Sequence, residues 1–144
     1  MTTVATSATP ARRSLEWAAR AMNGTVVQPG TRATDFAGAN HDSRAVAPGQ
    51  LFFAFPGERV DGFDFAAQAA AAGAAAIVVA RPRGVPAGCD GVTIIAVDDP
   101  RRAMGDVARA ARAAFKGLVV GVTGSTAIAL IKPLSGPPLC QDAA

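Results

Sequence analysis

Tyrosine is missing altogether from this chain of 144 residues, which also has only one histidine, one tryptophan and two cysteines. Cys89 and Cys140 stand far apart, so neither a zinc ligand set nor a disulfide framework can be written, and reduced thiols in a cytoplasm are the expected setting. No run reaches the ~18 apolar residues that would cross a bilayer. The Thr/Ala/Ser-rich opening from Met1 to Ala11 has no apolar stretch of the signal-peptide kind. An excess of one charge sign is lacking as well: 14 Lys and Arg against 11 Asp and Glu give a formal net charge of +3, and the arginines, which far outnumber the lysines, are scattered. A nucleic-acid footprint would gather them on one segment, so no nucleic acid and no membrane span are expected.

What is abundant is alanine, glycine and small apolar side chains. Half of the residues are apolar, and the length suits one compact unit with an alanine-lined core of Val, Ile, Leu and Phe. Ser14 can cap a short helix carrying Leu15, Ala18, Ala19 and Met22 on one face, with Asn23-Gly24 as its left-handed stop. Thr25 to Gln28 reads as a strand, and Asp35 to Arg44 as an extended segment. The Pro48-Gly49 turn then leads into an apolar strand from Leu51 to Phe55, closed by Pro56-Gly57. A helix follows from Asp64 through Ala72, then a strand from Ala75 to Ala80 whose Ile77-Val78-Val79 suits a sheet covered on both faces.

Prolines and glycines make 81–91 a surface loop before the strand Thr93 to Val97. Asp98 or Asp99 can cap a helix with Pro100 at its first position, and Met104, Val107, Ala108, Ala111 and Phe115 recur at helical spacing. A strand from Leu118 to Val122 comes next. The order from Leu51 onward is that of an α/β fold, a small mixed sheet flanked by helices. From Thr126 the pattern fails, and Pro133, Pro137 and Pro138 punctuate a tail with no capped helix.

Leu118-Val119-Val120 followed by Gly121-Val122-Thr123-Gly124-Ser125 reads as a strand entering a phosphate loop. Such a loop continues Gly-Lys-Ser/Thr, because its ammonium grips the polyphosphate and its hydroxyl ligates magnesium. Here it continues Thr126-Ala127, and Lys132 is out of register. The densest functional cluster is earlier: Asp42-Ser43-Arg44, Pro48 to Ala54, Gly57-Glu58-Arg59 and Asp61-Gly62. A hydroxyl, an arginine fork and glycine-exposed amides at one sheet edge can bind a diphosphate. On spacing alone the plainer reading is a turn in which Arg44 pairs locally and the glycines turn corners.

This run, with Asp64-Phe65, Ala69 and Gly73-Ala74, resembles the N-terminal domain of the Mur ligases, most nearly the MurF type that adds D-alanyl-D-alanine to UDP-N-acetylmuramoyl-tripeptide. The likeness covers about residues 14 to 125. It implies a flexible arm at 1–13, a UDP-substrate-binding domain at 14–116, the opening strand and partial phosphate loop of a central ATPase domain at 117–125, and a divergent tail at 126–144. It also implies peptidoglycan precursor synthesis, with ATP and Mg2+ serving the family's amide-forming reaction and neither expected on this chain.

Residue by residue, the resemblance assigns Ser43 to substrate contact, Arg44 to charging the site, Gly57, Glu58 and Arg59 to the approach of the uridine diphosphate, and Thr123, Gly124 and Ser125 to an ATP-loop remnant. No catalytic residue and no metal ligand is assigned. Phe63 departs from the pattern, since many relatives carry histidine after Asp-Gly. The expected partner is UDP-N-acetylmuramoyl-tripeptide, and association through an exposed interdomain surface is expected as well. The alternative is a noncatalytic interaction module that kept the fold and lost the ligand. His41 reads as solvated or locally bonded; Phe52, Phe53, Phe55, Phe63 and Phe65 as core; Arg101 and Arg102 as a solvated helix face or partner contact; and Trp17 as core or interdomain surface.

Overall fold

The structure, a computed structural model, describes residues 11–121 and 129–132. Thr123, Gly124, Ser125 and Cys140 lie outside these residues. The chain divides into two compact units, one ending at Ala108 and the other beginning at Arg109. In chain order the elements are β1 (Arg13–Ser14), α1 (Leu15–Ala21), β2 (Thr25–Gln28), β3 (Asp35–Phe36), β4 (Ala39–Asn40) and β5 (Leu51–Phe53). They continue as α2 (Ala66–Ala71), β6 (Ala76–Ala80), β7 (Thr93–Val97), α3 (Pro100–Ala114), β8 (Leu118–Gly121) and β9 (Ala129–Lys132).

The first unit is organised by a five-stranded sheet in the order β2-β7-β6-β5-β4. Neighbours among β4, β5, β6 and β7 run parallel, while β2 is antiparallel to β7. β1 pairs with β3 in a separate two-stranded ribbon. The central strands are apolar on both faces, and the period of two sends alternate residues into two cores. Phe53, Val78, Ile95 and Val97 join Leu15 and Ala18 of α1, Met22 just beyond its end, and Ala103 and Val107 of α3. Phe52, Ile77, Val79 and Ile94 meet Ala66, Ala69 and Ala70 of α2. Alanines on the buried stripe of α2 let that helix lie close to the sheet, which is how an aromatic-poor chain excludes water from its interior.

The ends of α1 and α3 follow from local chemistry. Ser14 Oγ accepts the Trp17 N–H at 3.1 Å, and Asp99 Oδ1 accepts those of Arg101 and Arg102 at 2.9 and 3.4 Å. At the other end of α1 the left-handed residue is Asn23, at φ 56°, and Gly24 donates to Ala19 O at 2.8 Å. Gly24 serves a different need from the one its sequence position suggests: a Cβ there would lie 2.5 Å from Ile95 Cγ2.

Several boundaries depart from the sequence reading. The strand from Leu51 ends at Phe53, because Phe55 turns back to donate to Phe53 O. The helix expected from Asp64 starts as a 3-10 turn, Gly62–Phe65, whose opening is fixed by Asp61 accepting the Phe63 N–H at 3.0 Å. The extended segment 35–44 is split into β3, β4 and a turn. Phe52 and Phe53 are core, but Phe55 and Phe63 are half-buried and Phe65 is 38% exposed, since these three flank cavities. Trp17 is half-buried, stacked on Phe36 at 6.4 Å beneath the Arg13 guanidinium. In the loop after β6, Cys89 is buried, and burial together with the charge of Asp90 pushes its thiol pKa up.

The second unit contains the last turn of α3 and an antiparallel pair in which Leu118 of β8 lies opposite Lys132 of β9. Of the stretch after Thr126, the described residues Ala129–Lys132 form a strand. Its four apolar-rich residues are too few for a helix and enough for a strand paired to β8.

Candidate functional site

In open α/β sheets the space beyond the carboxyl ends of parallel strands is where ligands find exposed loop amides and side chains. The segments leaving β4, β5 and β7 here enclose a groove of about 610 Å³. His41, Asp42, Ser43 and Arg44 follow β4; Phe55, Pro56 and Gly57 follow β5; Arg101 stands in the first turn of α3. Gln68 of α2 and the exposed faces of Val60 and Phe65 complete the wall.

The turn after β4 is held by its own polar groups. Asn40 Oδ1 accepts the Asp42 N–H at 3.0 Å, and Asn40 Nδ2 donates to Ala45 O at 3.1 Å. Asp42 Oδ1 accepts both the backbone N–H and Nε of Arg44, and Oδ2 accepts Nη2 at 3.0 Å. The Arg44 guanidinium and its backbone amide hold the Asp42 carboxyl below its ordinary pKa, and Asp42 in return raises that of the guanidinium. Ser43 Oγ donates to Gln68 Oε1 at 3.3 Å, which leaves the hydroxyl oxygen able to accept a ligand N–H.

The loop 56–62 is held differently. Gly62 donates to Phe55 O at 2.9 Å, closing the loop on itself. A Cβ at Gly57 would lie 2.1 Å from Val60 O, and one at Gly62 would lie 2.7 Å from Phe55 N, so both positions require glycine for close backbone approach. Asp61, 19% exposed, pairs with Arg83 at 2.8 Å, and the Arg83 guanidinium also covers the Phe63 ring at 4.7 Å. These contacts line a second, mainly apolar cavity of about 240 Å³. Phe63 belongs to that cavity, so the departure at this position falls outside the groove.

Of the residues assigned from sequence, Ser43, Arg44 and Gly57 come together around the groove. Glu58 and Arg59 do not; they are exposed at the tip of the loop, because the tight Gly57–Val60 approach throws the intervening side chains outward. His41 is exposed and stacked on Phe55 at 5.0 Å. Arg101 was legible only as a helix cation; it lies over the same ring at 5.4 Å and lines the groove. The groove's one carboxylate, Asp42, is committed to Arg44, so this donor set does not fit a magnesium ion.

The pattern described as "Mur ligase family, catalytic domain" matches residues 35–112, more than half of the chain. The chain belongs to the Mur ligase family, whose members build peptidoglycan precursors. Its likeness is of the MurF type by local identity and by structure. It is 65% identical over 46 residues, 32% of this chain and 9% of the relative, to the UDP-N-acetylmuramoyl-tripeptide--D-alanyl-D-alanine ligase of Mycobacterium tuberculosis. MurF from Acinetobacter baumannii superposes with a TM-score of 0.56 at 27% identity, over 67% of this chain and 20% of that one. A longer match, 41% over 101 residues, is to the UDP-N-acetylmuramoyl-L-alanyl-D-glutamate--2,6-diaminopimelate ligase of Streptomyces avermitilis, covering 66% of this chain and 19% of the relative. The chain thus spans about a fifth or less of the length of these relatives.

Proposed function

We propose that this chain binds the UDP-N-acetylmuramoyl-tripeptide used by D-alanyl-D-alanine-adding ligases, with the UDP portion seated in the groove beyond β4, β5 and β7. The observation that carries this reading is the convergence there of Ser43, Gln68 and Arg101 with the apolar faces of Phe55 and Phe65. An apolar wall with a few placed polar groups suits a nucleotide whose base is flat and whose phosphates are charged. The amide-forming step is not assigned to this chain alone, since Gly121 to Ser125 continues into Thr126-Ala127 without the lysine that ATP chemistry needs. ATP and Mg2+ belong to the family reaction in this reading, and a cytoplasmic site of action goes with it.

A second reading is favoured by the longer alignment with a diaminopimelate ligase: the ligand is the shorter UDP-N-acetylmuramoyl-L-alanyl-D-glutamate. Calorimetric titration of the purified chain with each UDP-sugar-peptide, beside magnesium-ATP, tests both. Saturable binding of the tripeptide form without ATP binding is the expected result, and tighter binding of the dipeptide form would favour the second reading. A folded chain that binds neither would sink both and leave a noncatalytic interaction module as the better account.

A further inference from the structure

We propose that Arg101, rather than Arg44, is the residue that holds the diphosphate of the ligand, an assignment that rests on the groove being the UDP site. Two arginines line this groove, and their surroundings differ. The Arg44 fork is spent on Asp42: Nε and Nη2 donate to the two carboxylate oxygens, so the pair presents little net charge to an anion. Among the described residues no carboxylate forms an ion pair with Arg101, whose side-chain contact is the Phe55 ring. A guanidinium laid over an aromatic face is positioned without using its N–H donors in that contact, and its planar fork matches phosphate oxygens two at a time.

The place of Arg101 in the helix strengthens the argument. It lies in the first turn of α3, where the macrodipole disfavours a cation. An anion arriving in the groove would relieve that repulsion. The helix end itself is not the binding group, because the Arg101 and Arg102 N–H groups already donate to Asp99. The guanidinium is what remains to meet the ligand.

The test is an NMR shift titration of the full chain with UDP and, separately, with uridine, for the wild type, Arg101→Gln and Arg101→Lys. R101Q is expected to weaken UDP binding roughly tenfold, the scale of one charge-assisted hydrogen bond, and to leave uridine binding unchanged. R101K should fall between, keeping the charge and losing the fork. Unfolding temperature, followed in parallel, should be unchanged or slightly higher in R101Q, which separates lost binding from lost folding. If wild type binds UDP and R101Q binds it equally well, the Arg101 assignment is wrong while the groove reading stands. Equal losses for UDP and uridine would make Arg101 a support for Phe55 and overturn its anion role. A folded wild type that binds neither UDP nor the UDP-sugar-peptide would overturn the groove reading and this assignment together.

Discussion

The two segments that wall the groove solve the same problem by opposite means. The turn after β4 is stabilised within itself: Asn40, Asp42 and Arg44 supply almost every hydrogen bond it uses. The loop 56–62 depends on absent side chains at Gly57 and Gly62 and on a distant partner, Arg83. A self-satisfied turn keeps its shape when neighbours change, whereas a loop held from outside takes its shape from them. The first rim is thus held by hydrogen bonds within the turn, and the second by close backbone approach and a partner outside it.

Gly62→Ala should break this contrast most severely. The added methyl meets the Ala54–Phe55 backbone, and overpacking of this kind costs about 2 kcal/mol, read as a lower denaturant midpoint at unchanged slope. An unaffected midpoint would mean that the loop yields freely. Arg83→Ala should cost less, about 1 kcal/mol, since it removes a partly exposed ion pair and a cation–π contact. Its sharper signature is faster hydrogen exchange at the Gly62 amide, with the amide of Arg44 unchanged. Equal acceleration at both would show that the two segments move as one.

The smallest effect is expected from acid. The Asp42 carboxyl is held below its ordinary pKa by Arg44, so its contribution is present above the unfolded value, ~4, and is lost as pH falls through the folded value. A carbon-13 titration should place the Asp42 midpoint below that of an unfolded peptide, and Arg44→Gln should return it upward. The pair is exposed on the arginine side, so little change in overall stability should accompany the titration.

The same contrast explains what could be read from the sequence. Asp42-Ser43-Arg44 was legible as a turn with a local pair because its interactions span two or three residues. The strand Thr93–Val97 and the capped helix from Pro100 were legible for the same reason, periodicity and caps being local. The Asp61–Arg83 pair links groups brought together by the fold, and nothing in the spacing announces it. Arg101 read as a solvated helix face or partner contact, and it is exposed; that it also lines the groove depends on the fold and not on its place in the helix. Glu58 and Arg59 are exposed and do not line the groove, since a motif gives the order of residues in a loop and not the direction its tip faces.

The order of the sheet has a consequence for how the chain is made. β4, β5, β6 and β7 lie side by side in the order of their synthesis, so each can add to the one before it as the polypeptide emerges. β2 is the exception. It is made before all of them, yet its partner β7 is the last to appear, with Thr25 opposite Ala96. Until β7 emerges, Thr25 and Val26 lack their partner strand, so this edge of the sheet can be paired only after the other four strands have been made.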